Sequence, residues 1–184
     1  MRTCVLLCLF SGCGFSEGNV IQYEKCFDLN QPIEVATPGL EAPPLVLEAV
    51  PKLFAHYIAS LGGSVTATKS DNPRIYVLNA EKYENKCDNS ELGYIQNNQP
   101  TIIYMCKSSY KRSDWLTYMI AHELGHVLGS GHSDCADHTI MSPSFVCVPE
   151  GNIEYFAMDV ASICNSGYVT RGVCGPRRCK ESKL

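Results

Sequence analysis

His122-Glu123-Leu124-Gly125-His126-Val127-Leu128-Gly129-Ser130-Gly131-His132 decides how this chain is to be read. In a helix, positions i and i+4 lie on one face a turn apart, so His122 and His126 aim two imidazoles at one point. Gly129 tolerates the positive φ at which a helix is abandoned, and the chain beyond it can swing His132 to the same point. Three neutral imidazoles suit Zn(II) and leave its fourth position for water. Glu123, adjacent to His122 but displaced around the helix, is the candidate proton acceptor and donor. The pattern H-E-x-x-H-x-x-G-x-x-H arises in about 2 of 100,000 shuffled sequences of this composition. Chance is therefore a weak competitor.

The helix carrying this motif is expected to start at a Ser113 or Asp114 cap, with Trp115, Met119, Ile120, Leu124, Val127 and Leu128 as its apolar face. Upstream, Leu47, Val50, Leu53, Phe54, Tyr57, Ile58 and Leu61 recur at steps of three and four. They predict a first helix that stops at Gly62-Gly63, with Pro51 in its first turn. Gln31–Ala36, Ser64–Thr68, Arg74–Leu78, Glu91–Gln96 and Thr101–Met105 are alternating or β-branched runs between turn residues, which predict strands. The order of elements is that of an α+β domain.

Downstream of His132, Ile140-Met141-Ser142-Pro143 extends the pattern. Together with the long histidine motif it resembles the metzincin zinc peptidases, whose Met-turn lies beneath the metal, with Met141 as the matching residue. Ser133 directly after His132, and Met141-Ser142-Pro143-Ser144-Phe145, resemble the matrixin branch. There this segment walls the S1' pocket, which gives that role to Pro143 and Phe145, although Phe145 stands where the family usually has Tyr. The adamalysin branch more often has Asp directly after the third His; here Asp134 comes one position late.

Leu92-Gly93-Tyr94-Ile95 resembles the matrixin edge strand that pairs with substrate, which assigns Gly93, Tyr94 and Ile95 to peptide binding by β-augmentation. Ile153–Cys164 resembles the C-terminal helix of the lower lobe. Its Asp159 is either an anchor for an ammonium, as the resemblance implies, or a capping or solvent-facing carboxylate. The implied fold is an α+β metzincin-like zincin catalytic domain: a twisted mixed sheet with two helices, then a small C-terminal lobe with one helix. The lobes would span 31–129 and 130–184, with zinc in the cleft. The implied activity is a zinc metalloendopeptidase in which Glu123 serves as base and then acid. A zinc-holding interaction or toxin-like module on the same fold is the alternative, and retention of Glu123 argues against it.

The chain has 184 residues, 45% of them apolar and 18% charged, which suits one domain or two lobes about a cleft. No run of eighteen apolar residues offers a membrane span. With a formal charge of -4 and no basic stripe, nucleic acid is a poor partner. A peptide or protein substrate and a monomeric state are expected instead.

Eleven cysteines are far above cytosolic usage. Arg2, the apolar Cys4–Phe10 and the small Ser11-Gly12 read as an export signal over 1–12, and Leu9-Phe10-Ser11-Gly12-Cys13 resembles a lipobox that would place lipid on Cys13. An ordinary signal cleaved a few residues later is the alternative. Either reading puts the mature protein outside the cytoplasm, secreted or held to a membrane by its lipid alone, with 13–30 as a tether. Cys26, Cys87, Cys106, Cys135, Cys147, Cys164, Cys174 and Cys179 remain, enough for four disulfides. Sequence-near pairs such as Cys87 with Cys106 and Cys135 with Cys147 would staple two loops.

Other candidates are weaker. A lone His56 is expected to serve packing, and His138 to sit at a pocket rim or in a solvated loop. Asp88, Asn89 and Glu91 offer oxygens for calcium but form no recognisable calcium loop. No cysteine-switch string of the matrixin type precedes the catalytic segment.

Overall fold

A computed structural model describes residues 26–69, 72–83, 87, 91–96, 99–148 and 153–179. The expected signal, Cys13, Asp88 and Asn89 lie outside the described residues.

Five strands form a mixed sheet in the order β3-β2-β4-β6-β5, built from β2 (Ile33–Ala36), β3 (Val65–Ala67), β4 (Ile75–Asn79), β5 (Gly93–Gln96) and β6 (Gln99–Met105). Each pair is parallel except β5 with β6, so β5 is the antiparallel edge. Helices α1 (Pro44–Ser60) and α3 (Ser113–Val127) pack on each other, α1 also on β3 and α3 on β5 and β6. Burial follows the sequence periods: Val46, Val50, Phe54, Tyr57 and Ile58 line α1's inner face, and Ile75, Val77 and Asn79 alternate inward along β4. Beyond the two expected helices there is a single turn, α2 (Ala80–Tyr83), whose Lys82 amide donates to Asn79 Oδ1 at 2.9 Å. Helix α4 (Ala157–Ser166) is the helix of the C-terminal segment. It begins four residues later than the expected Ile153.

Three expectations need correction. Pro51 sits inside α1, and the first-turn proline is Pro44, whose fixed φ suits the helix start. Neither Ser113 nor Asp114 caps α3, because the N-cap position is Arg112 and no side chain caps it. Asp114 instead pairs with Arg112 and accepts from the Trp115 amide. Residues 26–30 are no free tether: Phe27 and Leu29 are 2% exposed, and β1 (Phe27–Asp28) pairs with β7 (Val169–Thr170). Fold and tether therefore overlap at these residues.

The C-terminal segment also returns to the end of α1, since Val173 N donates to Leu61 O at 3.0 Å. Gly172, at φ 52°, makes that approach possible because a Cβ there would collide with Leu61 O and Leu29. Ile140, Val148 and Ile163 join Leu124, Met105 and Phe54 in one continuous core. Disulfides link Cys26–Cys179, Cys87–Cys106, Cys135–Cys147 and Cys164–Cys174. Both sequence-near pairs singled out above are among them.

Candidate metal centre

The site grows out of the end of α3. His122, Glu123 and His126 are buried at 2%, 3% and 1% exposure, on a helix whose last turns face the core on nearly every side. After Leu128 the helix stops in a Schellman turn: Gly129 N donates to His126 O at 2.8 Å and Ser130 N to Gly125 O at 2.9 Å, with Gly129 at φ 90°. The chain then doubles back and delivers His132.

The three Nε2 atoms stand 3.1, 3.1 and 3.2 Å from one another. His122 Nδ1 donates to Ile140 O and His126 Nδ1 to Ser130 O, each at 2.8 Å. Because Nδ1 carries the proton in both rings, their Nε2 lone pairs face inward with no hydrogen between them. Converging lone pairs repel unless a cation sits among them. The spacing approaches the roughly 3.3 Å edge of a tetrahedron drawn at zinc–imidazole distances of about 2.0–2.1 Å. The donor set, neutral nitrogens oriented by backbone carbonyls, thus fits Zn(II).

Burial keeps the ligands neutral. His122 is pushed down to about 4 by desolvation, with the nearby His132 adding to the effect. Desolvation also drives His126 well below the usual imidazole range and lowers His132. Glu123 moves the other way, up to about 8, mainly by burial and secondarily by the charge of Glu91. A cation beside it would favour the ionised carboxylate again.

Met141 lies directly beneath this helix. A Cβ on Gly125 would run into Met141 Sδ and Cε, so only glycine lets the Met-turn come so close. Asp159 fixes the turn from the other side. Buried at 2% exposure, it accepts from Ile140 N at 3.3 Å, Met141 N at 3.2 Å and, as the cap of α4, Phe156 N at 2.9 Å. Of the two readings left open for Asp159, capping is what its contacts show, with a further link to the turn that sequence did not signal. Ile140 is the residue whose carbonyl orients His122, so α4, turn and ligand form one connected unit.

Pro143 is exposed and Phe145 half-buried in the segment after the turn. Phe145 packs edge-on against Tyr118, 5.4 Å between centroids, and Tyr118 OH donates to Ser142 O at 2.8 Å. Tyr118, one turn before His122 and 5.2 Å from its ring, escaped the sequence reading because it looks like one more apolar-face residue. Gly93, Tyr94 and Ile95 form the edge strand, and Gly93 lies so close to Met119 and Tyr104 O that a Cβ would meet both at 2.8–2.9 Å. His56 is half-exposed and pairs with Glu154 at 2.9 Å, away from the triad. His138 is exposed, at φ 52°, and its Nδ1 lies 3.0 Å from Cys147 O. Of the calcium candidates, Glu91 is the one among the described residues; it clusters with Cys87 and Cys106, whose sulfurs are joined as a disulfide.

A family model of reprolysin type, described as metallo-peptidase family M12, matches residues 56–170, more than half of the chain. No curated protein matches the chain significantly.

Proposed function

Since this chain belongs to metallopeptidase family M12, we propose that it is a zinc-dependent endopeptidase that cleaves internal bonds of peptides or proteins outside the cytoplasm. The observation that carries the proposal is the convergence of three imidazole nitrogens, from the buried His122 and His126 and the half-buried His132, with the buried Glu123 directly following His122 on α3. Metal binding alone requires the histidines, whereas peptide hydrolysis also requires a proton carrier.

His122, His126 and His132 would hold the ion, and zinc there would supply Lewis acidity to a peptide carbonyl and to an attacking water. Glu123 takes a proton from the water as its oxygen bonds to the carbonyl carbon. It then gives that proton to the amine nitrogen as the C–N bond breaks. The outer edge of β5, which no other strand among the described residues occupies, aligns an extended substrate through main-chain hydrogen bonds. Pro143 and Phe145 wall the pocket for the side chain after the scissile bond, and Met141 supports the ligands from below. The matched model is of reprolysin type, so the matrixin-like Ser133 and Met141-Ser142-Pro143 are read as features of this pocket rather than of lineage.

Four disulfides suit an oxidising compartment. Among the described residues no helix is long and apolar enough to cross a membrane. A monomer released by its signal, or held by lipid on Cys13, is the working assignment.

The test is digestion of an unbiased peptide mixture by the disulfide-formed protein, read by mass spectrometry with and without excess chelator. Cleavage that chelator abolishes and added zinc restores supports the peptidase and reads out its preference after the scissile bond. Cleavage that survives excess chelator rules out the zinc mechanism. Zinc bound without any cleavage favours the non-catalytic module.

A further inference from the structure

His132 differs from its two partners in having no helix to hold it. The segment that follows it, Ser133–Ile140, contains a three-residue 3₁₀ turn at Cys135–Asp137 and is otherwise irregular. Yet Thr139 and Ser142 are 1% and 0% exposed, unusual burial for hydroxyl residues in a loop. Their hydroxyls meet that of Ser133, the residue bonded directly to the ligand. Ser133 Oγ stands 2.5 Å from Thr139 Oγ1 and 3.4 Å from Ser142 Oγ, and Ser142 Oγ lies 3.3 Å from Asp134 O.

The proton order is determined. Asp134 O only accepts, so Ser142 donates to it and must accept from Ser133, which in turn accepts from Thr139. Two main-chain bonds run alongside, Ser133 N to Met141 O at 3.0 Å and Ser142 N to Thr139 O at 3.1 Å. The result ties both ends of the loop, the ligand end and the Met-turn end, through a buried polar chain with every member satisfied.

We propose that Ser133, Thr139 and Ser142 are positioning residues for the third ligand, presetting His132 before metal arrives. This rests on the zinc reading above and adds to it: the three hydroxyls govern how tightly the metal is held. Without them the loop must be ordered at the moment of binding, and the ordering cost appears as lost affinity.

The experiment measures the zinc dissociation constant by chelator competition on the full, disulfide-formed chain. The proteins compared are the wild type, Thr139→Val, Thr139→Ser and Ser133→Ala, with thermal melts of each metal-free protein. Thr139→Val keeps the shape and deletes the hydroxyl; Thr139→Ser restores it. The expected result is a zinc affinity about 10- to 100-fold weaker for Thr139→Val and Ser133→Ala, as for other groups that orient a metal ligand. Thr139→Ser should lie within about threefold of wild type, and Ser133→Ala, which leaves the buried Thr139 hydroxyl without its partner, should pair its lost affinity with a modestly lowered metal-free melt. Unchanged affinity in both deletion variants, or a loss that Thr139→Ser shares, overturns the inference. So does a lowered metal-free melt with affinity intact, which would mark a merely structural role. Failure of the wild type itself to take up zinc would remove the metal reading, and this inference with it, and is distinguishable because it needs no variant.

Discussion

At the scale of single residues, the site joins groups with opposed titration. In the zinc-free protein the three imidazoles stay neutral in the fold, His122 down to about 4, whereas an unfolded histidine gains a proton near 6.5. Their contribution to stability is present above 6.5 and is lost as pH falls. Glu123, raised from 4.5 to about 8, contributes stability fully present below 4.5 and lost as pH rises through 8. Between 4.5 and 6.5 His122 and His126 together outweigh one carboxyl, with His132 adding to them in the same direction; between 6.5 and 8 the carboxyl acts alone. Denaturant titrations of the metal-free chain should therefore show the site's contribution peaking near pH 6.5, and Glu123→Gln should flatten the alkaline side and steepen the acid side. A wild-type curve rising steadily from 6.5 to 8, unchanged by that substitution, would contradict the assignment.

The same scale holds the tightest packing constraint. Gly125→Ala puts a methyl where Met141 Sδ lies, so Met141 or the helix must move. The expected cost is about 1–3 kcal/mol by overpacking, with weaker zinc binding, both read from melts with and without metal. The motif's spacing made the convergence of His122, His126 and His132 legible in the sequence. It could not show why its Gly125 position excludes a side chain, because the reason is a residue sixteen positions away.

At the scale of elements, α1, α3 and the strand runs were readable because each has a single buried face, so period and burial agree. The misreadings fall where local signals conflicted. A proline signals a first turn, which misplaces Pro51: Pro44 holds that position, and Pro51 lies half-buried in the interior of α1. The polar residues before α3 looked like a cap, yet Asp114 is engaged by Arg112. Helix α4 and the Met-turn depend on one carboxylate, Asp159, with three amide donors. Asp159→Ala should destabilise the protein by at least about 2 kcal/mol, while Asp159→Asn, which keeps an acceptor, should lose less. Equal losses in chemical denaturation would mean that the hydrogen bonds to the turn contribute little.

At the scale of the whole molecule, the disulfides tie loops and chain ends to the body of the fold, and Cys164–Cys174 does so from within the core. Cys135–Cys147, separated by 12 residues, closes the loop around the turn; removing it as a Ser pair should cost about 3 kcal/mol. Cys26–Cys179, separated by 153 residues, joins β1 to the chain beyond β7, and its loss should cost about 5 kcal/mol on the same chain-entropy reasoning. If the two Ser-pair variants melt at the wild-type temperature, the loops are held by packing alone. Cysteine number announced a stapled fold, but only the local pairs could be favoured from spacing. The β1–β7 pairing escaped notice because two residues carry no readable period.

The central claim is that His122, His126 and His132 hold a zinc ion which Glu123 turns to peptide hydrolysis. The most direct measurement compares wild type with Glu123→Ala on one peptide substrate at matched, measured zinc content. The account predicts one zinc per chain in both proteins and turnover reduced by at least about a hundredfold in the variant, the scale of general acid–base catalysis. Equal turnover at equal zinc would contradict it.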